Sequence, residues 1–330
     1  MVRGPLADGQ ELNRPARGRK SYHIRMPSGK RAGRGPRPYS RIFTANNGSD
    51  DLSVIELKTL KVAKRVKVGA CPMIADITPD GRHLLVSDRD DCDVSVVDLR
   101  TLKVKKTIPV EDGPAGVVAA PDGRRAYVAN EFAHSLSVID LASLSVERTI
   151  AIGHSPCVAV MPRDGSFIAV TNEETHNLSI IDAESLSVLY TVDLFEGPIG
   201  LALSPDEQEL WVADFISPEV VVLDARLFKV KRRLRVGTTH IGVECTRDGR
   251  EVYVTNADGN TVSIIDRRSG KPAGELACGE NPSMIAMSPD GRLAAVTNNA
   301  SNSVSLIDVA KRKVLGHVPV GVAPLGVIFG

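Results

Sequence analysis

The chain is poor in the residues that usually announce chemistry. Its five cysteines, Cys71, Cys92, Cys157, Cys245 and Cys278, are scattered and odd in number, and no two are spaced C-x-x-C. That excludes a disulfide framework and a clustered zinc site, and leaves buried or incidental thiols. Aromatic residues are only 4% of the 330, so few rings are on hand for nucleobases to stack upon. There is no G-x-S-x-G, no P-loop and no dinucleotide fingerprint, which removes the commonest nucleophile and phosphate motifs. No apolar run is long enough to cross a bilayer, and the N-terminal stretch lacks the apolar core of a secretory signal. The chain as written is therefore expected to be cytoplasmic, with a periplasmic or extracellular location as the alternative if its start is misassigned or processed.

Charge is balanced overall and unevenly spread. Residues 1–41 carry eleven Lys or Arg against Asp8 and Glu11, in a Gly/Pro/Arg-rich setting ("GKRAGRGPRP"), and the remainder holds 30 basic and 38 acidic residues. A basic tail thus precedes an acidic body. Too few apolar residues lie in 1–40 to offset the entropy of ordering it, so the tail is expected to be disordered and the folded domain to span 41–330.

Helical periodicity is missing as well, because apolar residues recur at i and i+2. What the sequence has instead is a repeat. Asn46, Asp88, Asn130, Asn172, Asp214, Asn256 and Asn298 follow one another at intervals of 42 residues without a single insertion. Glu56, Asp98, Asp140, Asp182, Asp224, Asp266 and Asp308 form a second column. A third, Asp80, Asp122, Asp164, Asp206, Asp248 and Asp290, sits mostly in "PDG" or "RDG" turns. A proline column (Pro72, Pro114, Pro156, Pro198, Pro282, Pro324) is broken once, by His240. Each unit reads as four short strands separated by turn residues, the pattern of a propeller blade.

The chain ends supply a check. The first strand of the repeat is missing before "RIFTAN", and one surplus first strand, "PLGVIFG", closes the sequence. Pairing the two makes seven copies of every strand and leaves no open ring edge. The fold expected is all-β: a seven-bladed β-propeller of four-stranded antiparallel blades, closed by the C-terminal strand on the N-terminal blade. Small residues in the first strands (Gly116, Ala119, Gly200, Ala202, Gly242, Ala286) suit a crowded axis. Phe43, Leu85, Tyr127, Trp211 and Tyr253 suit the wider space between blades.

The tetrapeptide "YVTN" at 253–256, its variants "YVAN", "AVTN" and "WVAD", the "SVIDL"-like third strands and the "SPDG" turns resemble the YVTN-repeat (YncE-like) β-propeller family over residues 41–330. The resemblance implies relatives that are surface-layer or periplasmic binding proteins, a nucleic-acid-binding example, and more distant lactonases and dehydrogenase subunits. A fold shared so widely does not select among these functions.

Loops from strand four to strand one, and from strand two to strand three, fall on one face of such a ring. Across them the sequence places sixteen Asp or Glu against one Arg, Arg89, while Lys and Arg crowd the turns of the opposite face. Turn chemistry accounts for Asp and Asn but does not call for the glutamates among them. Nearest the axis the loop order puts Glu111, Asp112, His154, Glu196, His240 and Glu280. This face is expected to bind a protein, a peptide or a cationic small ligand by electrostatic focusing, without catalysis, and the chain to act as a monomer. The perfect repeat supports binding, since enzymes on repeat scaffolds usually gain lids by insertion. The alternative is a lactonase-type hydrolase with His154 and His240 as catalytic groups; no cofactor is expected, though a divalent cation is compatible with histidines among carboxylates. A third reading is nucleic-acid binding through the basic tail and underside.

Overall fold

The computed structural model describes residues 39–194 and 196–330. The disordered-tail expectation falls almost wholly on residues outside this range. Every regular element described is a β-strand, 28 in all, grouped into seven sheets of four. Six sheets take consecutive strands, from Pro72–Ile77 (β4) as the inner strand of one blade to Lys313–Pro319 (β27) as the outer strand of another. The seventh is made by both ends of the chain: Pro324–Phe329 (β28) pairs antiparallel with Arg41–Asn46 (β1), which continues to Asp51–Glu56 (β2) and Lys61–Lys67 (β3). The expected ring closure is present in full.

The folded part begins before residue 41. Tyr39 donates its hydroxyl to Asp290 Oδ1 at 2.7 Å and stands edge-on to Phe329, and the Ser40 amide bonds the Gly330 carbonyl at 3.0 Å. Tyr39 and Ser40 therefore pack on the propeller.

Two aspartate columns do turn work. The carboxylates of Asp98, Asp140, Asp182, Asp224, Asp266 and Asp308 each accept the backbone N–H three residues on. Those of Asp80, Asp122, Asp164, Asp206, Asp248 and Asp290 accept the N–H two residues on. Both are Asx-type turns, in which a short side chain replaces a backbone acceptor.

Blades are held to one another by apolar packing and by a set of hydroxyls. Trp211, Tyr127 and Tyr253 are buried between sheets, as their column predicts. A Cβ at Gly116, Gly200 or Gly242 would collide with the carbonyl oxygen of Cys157, Ile241 or Ser283 on the next inner strand, so these positions admit no side chain. Thr255 Oγ1 accepts the Gly242 N–H of its own blade and donates to the Ser283 carbonyl of the next, each at 2.7 Å. Thr171 and Thr297 repeat both bonds, and Ser87 does so toward Ala115.

The asparagine column is buried. Each Asn Nδ2 reaches two side chains of the third strand, as Asn130 reaches Ser135 and Ser137 at 3.0 and 2.9 Å. Asp214 meets backbone amides of Gly197, Ile216 and Ser217 instead. Asp88 takes the same place with a carboxyl, beside Asp93 and Ser95.

Candidate binding face

Backbone hydrogen bonds lock the two sets of loops into one layer. The Glu131 amide bonds the Gly113 carbonyl, Glu173 bonds Ser155, Phe215 bonds Gly197, Ala257 bonds Thr239 and Asn299 bonds Asn281. Each second-to-third-strand loop thus leans on the loop that enters its own blade. A second link runs onward: Asp50, His134, Asn260 and Asn302 each use a side-chain acceptor for the amide of the next blade's entry loop, at Cys71, Ser155, Asn281 and Ala323. These four acceptors share a left-handed backbone, a region in which Asn, Asp and His are all enriched.

Of the six axis-proximal residues expected at the mouth, Glu111, Asp112, His154, Glu196 and Glu280 are exposed on this layer. His240 is not. It heads the strand His240–Cys245 (β20) in the slot that proline fills in six blades, and it is fully buried, with Nε2 at 2.7 Å from the Val236 carbonyl. Burial holds its pKa below the ordinary imidazole value, so the ring is neutral and Nε2–H is the donor. The structure therefore does not bring His240 to His154, and the paired-histidine centre has no geometric basis.

The two faces differ in how their carboxylates are used. On the underside, several acids meet cations: Arg82, Arg124, Arg250 and Arg292 lie beside Asp80, Asp122, Asp248 and Asp290, and Glu209 is shared by Lys231, Arg232 and Arg267. A cavity of about 400 Å³ lies among these last side chains and Arg268. On the loop face, ion pairs occur at Asp50, Asp51 and Asp90, with Lys67, Arg65 and Arg89. Glu111, Asp112, Glu174, Glu196 and Glu280 have no ion-pair partner among the described residues. Glu173, next to Glu174, is partly buried, and burial together with the Glu174 charge raises its pKa.

His154 does find an imidazole, and it is His134. Their rings stack with centroids 4.3 Å apart and planes 17° apart. Glu174 completes a group in which one donor atom from each residue lies within 4.8 Å of the others. His134 was the residue that composition and loop order did not single out. The signal for it is an offset of 20 residues from His154 and of 40 from Glu174, which links three successive loops around the ring.

Residues 40–164 match the model of the YNCE-like beta-propeller family, and residues 217–324 match that of the Cytochrome D1 heme domain. No curated protein matches the chain. Among solved structures it is similar to Kuenenia stuttgartiensis Hydrazine Synthase, with 22% identity, a TM-score of 0.76 and coverage of 88% of this chain and 95% of that one. It is similar also to a functionally unknown protein from Desulfotomaculum acetoxidans DSM 771, with 15% identity, a TM-score of 0.77 and coverage of 88% and 98%. A third is the dihydro-heme d1 dehydrogenase NirN in complex with DHE, with 14% identity, a TM-score of 0.67 and coverage of 92% and 78%. At these identities the likeness carries the fold alone.

A haem needs an accessible axial ligand and cations for its carboxylates. The histidines of the stretch matched to the haem domain are His240, buried at a strand head, and His317, on the outer strand against Ser305 Oγ at 2.9 Å. The loops of that stretch on the acidic face carry no Lys or Arg. These residues do not fit a haem at the mouth. Seven sheets of four antiparallel strands closed by the two ends make this chain a seven-bladed β-propeller, and over residues 40–164 it is similar to the YNCE-like beta-propeller family.

Proposed function

We propose that the chain is a binding module whose acidic loop face takes a basic partner, a protein or peptide segment rich in Lys or Arg. The observation that carries this reading is that Glu111, Asp112, Glu174, Glu196 and Glu280, exposed on the loop face, have no ion-pair partner among the described residues, whereas Asp206, Glu209 and Glu251 of the underside are held by arginines. Among the described residues no ion pair holds these glutamates. Their uncompensated field attracts and orients a cationic ligand and raises its rate of encounter.

The hydrolase reading required His154 and His240 at one centre and loses that pair. Some underside cations on which a nucleic-acid reading calls, among them Arg267 and Arg312, are engaged in ion pairs, and the basic tail lies outside the described residues.

The test uses a lysine-rich peptide as probe. Wild type binds it with an affinity that falls steeply as salt rises, and Glu111→Gln/Glu196→Gln/Glu280→Gln weakens binding at low salt. Three exposed charge pairs at about 0.2–1 kcal/mol each correspond to roughly 3- to 150-fold. Equal binding by the folded triple variant sinks the proposal.

A further inference from the structure

We infer that His134, His154 and Glu174 form a site for a borderline divalent transition-metal ion of the zinc class. Their donor atoms lie within 4.8 Å of one another, a span that one ion can bridge after small side-chain movements. Two imidazoles and one carboxylate suit zinc, copper or nickel; calcium and magnesium call for an all-oxygen set. Three protein ligands on an open loop face leave the remaining positions to water or to a donor from a bound partner.

The repeat supplies an internal control. Positions 134, 154 and 174 recur around the ring as Asp50-Ala70-Asp90, Cys92-Asp112-Phe132, His176-Glu196-Ile216, Pro218-Thr238-Asp258, Asn260-Glu280-Ala300 and Asn302-Val322-Gly48. Each of these contains at least one residue with no ligating side chain for such a metal. One junction out of seven combines three ligating side chains, two imidazoles and a carboxylate. The structural duty at position 134, accepting the next entry-loop amide, is met by Asn at 260 and 302 and by Asp at 50, so it does not require an imidazole.

As the loops stand, the two rings are stacked with nearly parallel planes, so a single ion cannot lie in both planes. His154 is exposed and free to turn toward it. His134 Nδ1 accepts the Ser155 amide at 3.1 Å, which places the proton of the neutral ring on Nε2. Ligation through Nε2 moves that proton to Nδ1 and breaks the Ser155 bond. Metal entry thus exchanges a ring stack and one hydrogen bond for coordination, which sets a moderate affinity and makes the Ser155 amide a reporter.

The experiment is a titration of the full chain with Zn²⁺, with Co²⁺ as a spectroscopic substitute. Wild type takes up one ion saturably, the Ser155 amide resonance shifts as it does, and the Co²⁺ spectrum shows a nitrogen and oxygen set without a thiolate band. His134→Asn keeps the structural acceptor and removes the ligand; it and His154→Ala each lower affinity at least tenfold, Glu174→Gln lowers it less, and the neighbouring His176→Ala leaves it unchanged. Three results overturn the inference: no saturable uptake by wild type, a thiolate band in the Co²⁺ form, or wild-type affinity in folded His134→Asn and His154→Ala.

Discussion

Asp88 occupies a position that asparagine fills in five of seven blades, and replacing it with asparagine should stabilise the protein by an amount that grows with pH. The side chain is fully buried and faces Asp93, the partner that corresponds to Ser135 beside Asn130. Burial, reinforced by the Asp93 charge, pushes the Asp88 carboxyl up to about 8. In the unfolded chain it returns to the ordinary value of about 3.9. A folded-state value above the unfolded one means that folding takes up a proton, so its stability contribution is intact below about pH 4 and is lost progressively as pH rises toward 8. The slope is about 1.4 kcal/mol per pH unit, which puts the penalty on the order of 1–2 kcal/mol at pH 5 and on the order of 4 kcal/mol at pH 7. Asp88→Asn removes it and restores an amide that donates to Asp93 and Ser95 without titrating. Asp76, buried on an inner strand and also raised to about 8 by burial, tilts wild type in the same sense and cancels in the difference. Denaturant midpoints of the two proteins at pH 5, 6, 7 and 8, at matched m-values, measure that difference. A gap that stays flat across the series, or a variant less stable than wild type at pH 7, refutes the reasoning.

The interblade hydroxyls make a second case: Thr255→Val preserves shape but strands the Gly242 N–H and the Ser283 carbonyl, and should cost about 2–3 kcal/mol in chemical denaturation, with Thr255→Ser recovering most of it. A neutral valine would mean that these backbone groups have other partners. At the axis, Gly200→Ala sets a methyl group against the Ile241 carbonyl, where no rotamer offers relief, and should lower stability by about 2 kcal/mol or more, read as a drop in thermal midpoint. An unchanged midpoint would show that inner strands can part without loss.

Most of the architecture was legible because an uninterrupted 42-residue phase fixes strand count, blade count and the pairing of the two ends at once. The aspartate columns were legible for a local reason, since an Asx turn is a property of three or four consecutive residues. His240 carried a readable signal that loop position alone obscured: a residue standing in a column of buried strand-heading prolines belongs to the packed layer. His134 was harder. Its bond to Ser155 and its stack on His154 depend on how one blade's loop interleaves with the next, and that offset exists only once the ring is closed. The same holds for the difference between faces, where the count of charges was plain in the sequence but their pairing was not.

The joint between β1 and β28 has a mechanical consequence. Because the pairing is antiparallel, Ile42 sits opposite Phe329 and Ser40 bonds Gly330, so the two chain ends leave the sheet side by side at the same edge. Tension applied between residues 40 and 330 would load the bonds of this joint one pair at a time, as a zipper is drawn, whereas pulling across any other blade must shear several together. The ring should therefore have a preferred point of rupture, yielding at low force into a six-bladed crescent with β1 to β3 still attached.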